Sequence, residues 1–192
     1  MAGEAYRLDY VRRYEIIEGV KVMSPSPTWE HGLIDSNLVM IFKNYCRQYD
    51  CGNVFGDNMD IHLPDEKNIF KPDVSVFRDL NIFKHGKNIR AVPDLVVEIL
   101  SPSTAKNDIG IKKDAYERNG VKEYWIVNHA DKTVQVYHLI DGKYKIDHVY
   151  HVYTPEELSN LDDNERADVR YTIKVSIFDN LIVDVGDIFY NV

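Results

Sequence analysis

The sequence predicts an α/β (α+β) chain: one central mixed β-sheet flanked by two main helices. Two observations lead there. Short apolar runs bounded by turn residues recur at 53–63, 71–77, 93–100 and 121–128, whereas the stretches after Thr28 and from about Asn107 switch to helical spacing. The resulting order is strands, helix, strands, helix, strands.

Taken in order, "YEIIEGVKV" from Tyr14 to Val22 alternates about Glu18-Gly19 as a hairpin does, and Gly19 permits the positive φ of a tight turn. "SPSPT" (Ser24 to Thr28) breaks the strand. Leu33, Ile34, Leu38, Ile41, Phe42 and Tyr45 then follow at helical spacing, with Thr28 as cap and Glu30 in the first turn, where the helix dipole favours an acid. Three strands follow, with "LPDEKN" separating the first two. From Asn107 to Asn119 the pattern is helical again, with Ile111, Ala115 and Tyr116 on one face and Gly120 as C-cap. "VKEYWIVN" is a buried strand, and "KTVQVYHLIDGKYKIDHV" is a hairpin turning at Asp141-Gly142. A polar loop or short helix, Thr154 to Tyr171, leads to a last β segment, "YTIKVSIFDNLIVDV".

With 192 residues, 44% hydrophobic, the chain is read as one domain, 1–192. Residues 1–13 are an N-terminal extension, and 156–192 an acidic segment packing on the core. No run approaches the roughly 18 apolar residues of a membrane span, and the first residues show no signal pattern, so a cytoplasmic location is expected. Cys46 and Cys51 lack zinc spacing and read as reduced thiols. The net charge of −8 argues against sequence-blind adhesion to nucleic acid through a uniformly basic surface. Nine acids against three basic residues after Thr154 carry −6 of it, so the body is nearly neutral.

Glu98 sits within "PDLVVEIL", a strand apolar on both faces, where an ionised carboxylate needs a positive partner. Two Pro-Asp pairs offer a second acid. Asp94 lies on the same strand, roughly 13 Å away at about 3.3 Å per residue; Asp73 is on another strand, and paired strands lie about 4.8 Å apart. If these strands pair, Asp73 and Glu98 converge on one ion. Such an oxygen site suits Mg²⁺ or Mn²⁺, which can polarise a phosphoryl oxygen and lower the pKa of bound water. A lysine supplies the further charge that phosphodiester hydrolysis needs. Leu100, two residues beyond Glu98, cannot; Lys112 can, since Asp108, Lys112 and Tyr116 recur every fourth residue on the following helix.

"YEIIEG…MSPSPTWEH", "KPDVSVF", "PDLVVEILSPST", the Asp108, Lys112, Tyr116 series, "GVKEYWIVN" and "VSIFDNLIVDV" resemble the Uma2 family of bacterial endonucleases, within the PD-(D/E)xK nuclease superfamily. The resemblance runs from about Tyr14 to Asn128 and includes the closing β segment. It implies a restriction-endonuclease-like core with extra N- and C-terminal β segments, and Mg²⁺-dependent phosphodiester hydrolysis. It further implies Asp73 and Glu98 as metal ligands, Lys112 as catalytic lysine, and His31 or Glu30 near the site. Leu100 departs from the superfamily pattern, which places the lysine there.

Bland readings stand beside these: a structural ion pair of Glu98 with Lys112 or Lys113, Asp73 as a turn acid, Asp108 as a helix cap, Tyr116 as core. Between the carboxylate strands, the stretch from Leu80 to Val92 carries Lys84, Lys87 and Arg90 and no acid; with Lys106 and Lys113 it forms a weak nucleic-acid patch. The expected function is a metal-dependent endonuclease acting on DNA, as a homodimer because two-fold symmetry serves two antiparallel strands. The alternatives are a catalytically silent nucleic-acid- or protein-binding module and a hydrolase of small phosphorylated molecules.

Overall fold

The computed structural model describes residues 14–23, 26–57, 59–82 and 89–192. A six-stranded mixed sheet runs in the order β10-β9-β8-β7-β6-β3. Its strands are β3 (Asn53–Gly56), β6 (Val74–Phe77), β7 (Leu95–Ile99), β8 (Glu123–Asn128), β9 (Thr133–Ile140) and β10 (Lys143–His151). β7 and β8 are parallel and every other neighbour antiparallel. A parallel pair needs a crossover, and the second helical region supplies it.

Period-two alternation sends Leu95, Val97 and Ile99 to one face and Val96, Glu98 and Leu100 to the other. The first face packs with Ile34, Leu38 and Phe42 of α1 (Trp29–Tyr49), and the Phe42 ring lies 5.6 Å from that of Trp125. Against the second pack Ala115 and Tyr116 of the other helical region. The two main helices thus cover opposite faces. Cys46 lies in the first cluster as a free thiol, and burial, then Cys51 beside it, pushes it up to about 12.

A second antiparallel sheet, β2-β1-β5-β4, combines the hairpin β1 (Tyr14–Ile17) and β2 (Val20–Met23) with β4 (Ile61–His62) and β5 (Ile69–Phe70). Glu18 and Gly19 take positive φ at the hairpin turn. The expected strand 53–63 is therefore two strands in two sheets, β3 and β4, divided by residues 57–60. The expected strand 71–77 starts only at Val74, since Pro72 has no N–H for a ladder and the chain passes between sheets there.

The second helical region comprises α2 (Ala105–Asn107), a π-helical turn (Asp108–Lys112) and α3 (Lys113–Asn119), ending at Gly120 with φ 86°. The wider turn overturns one expectation: Ile111 is 40% exposed, whereas Asp108 and Lys112 are buried.

Beyond β10, α4 (Pro155–Asn160) and α5 (Asp163–Ala167) each begin with a capping box. The last β segment is a hairpin, β11 (Thr172–Lys174) and β12 (Ile182–Asp184), followed by α6 (Val185–Ile188). Ile173, Val175, Ile177 and Val183 join the same apolar cluster as Trp125. Glu123, fully buried, ties this hairpin to the sheet: it accepts from Trp125 Nε1 and Ser176 N, each at 2.7 Å. Glu123→Ala strands those donors and is expected to lower stability by about 2–4 kcal/mol, read as a lower urea midpoint at unchanged slope.

Candidate active site

β6 and β7 pair with Val74 opposite Val97, so the next step in the register sets Asp73 opposite Glu98. Directly opposed residues point to the same face. Asp73 Oδ2 accepts from Ile99 N at 2.6 Å, which fixes the carboxylate beside Glu98. Asp94, the other Pro-Asp acid, is engaged elsewhere, by Arg78 N at 2.8 Å and Lys122 Nζ at 2.7 Å.

The π-helical turn carries Asp108 and Lys112 toward the same place, and it is over this interval that the helix departs from regular spacing. Lys112 Nζ lies 2.6 Å from Glu98 Oε1, 3.3 Å from Asp108 Oδ1, and 3.2 and 3.3 Å from the two oxygens of Glu15 on β1. Tyr116 Oη, one turn on, donates to Glu98 Oε1 at 2.8 Å. Glu15 is itself fixed by Lys71 N, which donates to its Oε1 at 2.7 Å. All four charged groups of this cluster are buried.

Three carboxylates thus surround one ammonium. Burial, opposed by Lys112 but reinforced by Asp108, Asp73 and Glu15, pushes Glu98 well above the usual carboxylate range. Burial likewise raises Asp108 against the pull of Lys112. For Lys112 burial works downward, yet Glu15, Glu98 and Asp108 outweigh it and hold the ammonium charged. Burial beside Glu98 also keeps Tyr116 a neutral donor.

From the first turn of α1, capped by Thr28, His31 brings Nε2 to 3.2 Å from Asp73 Oδ1. Burial alone would lower its pKa, but the hydrogen bond and charge of Asp73, with Asp35 and Asp57 beyond, raise it.

These groups line a cleft of about 100 Å³. Five carboxylates, Glu15, Asp57, Asp73, Glu98 and Asp108, face it against Lys71 and Lys112. Among the described residues no three His, Cys, Asp or Glu groups close around a point as a metal cage would. Mg²⁺ keeps several waters and takes one or two carboxylates plus substrate phosphates, so two opposed acids in an excess of negative charge fit such an ion.

Of the residues singled out in the sequence, Asp73, Glu98, Lys112, Asp108 and His31 line the cleft, and Tyr116 backs it. Glu30 stays at the helix start, where its own backbone N–H and then Thr28 lower its pKa. Arg90 and Lys106 are not among the cleft residues, and Lys113 lies 3.9 Å over the Tyr137 ring instead. Lys84 and Lys87 fall outside the described residues. Sequence reasoning missed Glu15, Asp57, Lys71 and His129. Glu15 had a signal: it shares a strand face with apolar Ile17, the same anomaly that drew attention to Glu98.

A crystal structure described as a putative nuclease belonging to DUF820, from Anabaena variabilis, matches 92% of this chain and 89% of its own at a TM-score of 0.66 and 20% identity. The two share a fold, and it is of the restriction-endonuclease-like class. Residues 4–166 match the model of the Uma2 family, described as "Putative restriction endonuclease", and the chain belongs to that family. It is also 30% identical over 130 residues to an uncharacterized protein of Synechocystis sp. PCC 6803, slr1290, covering 67% of each chain. Among the described residues no helix is long and apolar enough to cross a membrane.

Proposed function

We propose that the protein is a metal-dependent endodeoxyribonuclease, hydrolysing phosphodiester bonds of DNA with Mg²⁺, or Mn²⁺ in its place. The observation that carries this reading is the 2.6 Å contact of Lys112 with Glu98 inside the cleft that Asp73 also lines. Asp73 and Glu98 would hold the ion, which when bound supplies a Lewis acid and a more acidic water. Lys112 presents a compact positive charge to the charge that develops on the phosphoryl oxygens. Glu15 and Asp108 hold that ammonium in place, Tyr116 orients Glu98, and His31 orients Asp73. A homodimer in the cytoplasm completes the reading, since paired cuts in a duplex call for two cleft copies.

A silent binding module is the second reading, favoured by the complete pairing of Lys112 with carboxylates. Cleavage of supercoiled and linear DNA separates the two. Wild type is expected to cut with Mg²⁺ or Mn²⁺ and not in EDTA, and Asp73→Asn to be slower by at least about 10²-fold. Well-folded wild type that cuts no DNA or RNA with either metal would leave the silent module.

A further inference from the structure

A cleft with five carboxylates repels a polyanion, so a DNA strand needs cations at its edge. Lys112 is enclosed by acids, which leaves Lys71 as the other lysine lining the cleft among the described residues. Its ammonium lies 5.5 Å from the centroid of the Tyr14 ring, and that of Lys21 lies 3.8 Å from the same centroid. Hairpin register explains the arrangement: Tyr14 opposes Met23, so Lys21 is its diagonal neighbour across β1 and β2.

One half-exposed ring therefore gathers two ammonium groups. A ring face attracts an ammonium without neutralising it and leaves N–H groups free for an oxygen acceptor. Among the described residues no carboxylate pairs with Lys21. Lys71 meets Asp60 at 3.3 Å, a contact with a 48% exposed acid that solvent weakens and a phosphate can displace. Lys71 also precedes Asp73 by only two residues, so an anion held there is next to the acid pair.

We propose that Lys21 and Lys71, gathered by Tyr14, form a clamp for a phosphodiester of the substrate strand beside the reacting one. The clamp rests on the endonuclease reading. It also moves the nucleic-acid contact from Lys106 and Lys113 to the β1–β2 hairpin and the segment before β6.

The test is fluorescence anisotropy of a labelled DNA duplex with the protein in EDTA, across a KCl series, alongside cleavage by the same preparations with Mg²⁺. The double variant of Lys21→Gln and Lys71→Gln should make the slope of log affinity against log salt shallower by about 0.9, the loss of one phosphate contact, and each single variant by a part of that. Tyr14→Phe keeps the ring and should keep the wild-type slope; so should Lys145→Gln, an exposed change on β10 at the far sheet edge. Wild-type slopes in both single variants and the double would overturn the clamp while leaving the nuclease intact if cleavage persists. A wild type that neither binds nor cuts would remove the endonuclease reading and the clamp together.

Discussion

Lys112→Met is expected to destabilise the protein by about 3–5 kcal/mol near pH 8, the effect of removing one partner from a buried charge cluster. Methionine fits the space of the lysine stem, so packing contributes little and charge dominates. Glu15, Glu98 and Asp108 would then face one another with no ammonium among them. The deficit should shrink on acidification, because protonating the carboxyls removes their repulsion. Urea unfolding of wild type and variant across a pH series reads this directly. An equal loss at pH 5 and pH 8 would mean that Lys112 acts through shape and not through charge.

Glu98→Gln is expected to do the reverse to stability while abolishing cleavage. The amide keeps an oxygen to accept from Tyr116, and Lys112 retains Glu15 and Asp108, so no charge is stranded. Because the Glu98 pKa is raised in the fold, the folded state holds its proton more tightly than the unfolded chain does. Its contribution is thus fully present below the ordinary glutamate value of 4.5 and is lost as pH rises toward and through the folded-state value. Gln removes that decline. In EDTA near pH 8 the variant should be more stable than wild type by on the order of 1–3 kcal/mol, and the difference should vanish in acid. Added Mg²⁺ should raise the Tm of wild type but not of the variant. A variant less stable than wild type at pH 8 would show that the Glu98 charge is already compensated within the cluster.

The two sites of change illustrate how much the sequence disclosed. Glu98 was legible because it breaks a local rule, an acid inside an apolar run, whereas Asp73 alone reads as an ordinary turn acid after proline and gained weight only as a partner for Glu98. Their meeting needed only the pairing of two strands. Lys112 was legible through its spacing with Asp108 and Tyr116, but the π-helical turn that buries it was not, since a single residue of extra winding leaves no mark in composition. The same turn explains why Ile111, apolar and correctly spaced for a regular helix, faces solvent. Glu15 shows the opposite limit. Its strand looked like an ordinary hairpin, and only the three-dimensional docking of that hairpin against the crossover helix gives its carboxylate a partner 97 positions away.

The Asp73–Glu98 pair and the lysine of this cleft stand on separate elements: the two acids oppose each other on neighbouring β segments, and the lysine lies on a helix whose winding is locally irregular. Sequence change can therefore act on them independently. Losing one residue from the irregular turn would regularise the helix and swing the ammonium away while both acids stayed in register. A descendant of this chain could in that way keep its acid pair and lose its lysine in one deletion, so counting residues along a single strand is a poor guide to which relatives retain a complete set.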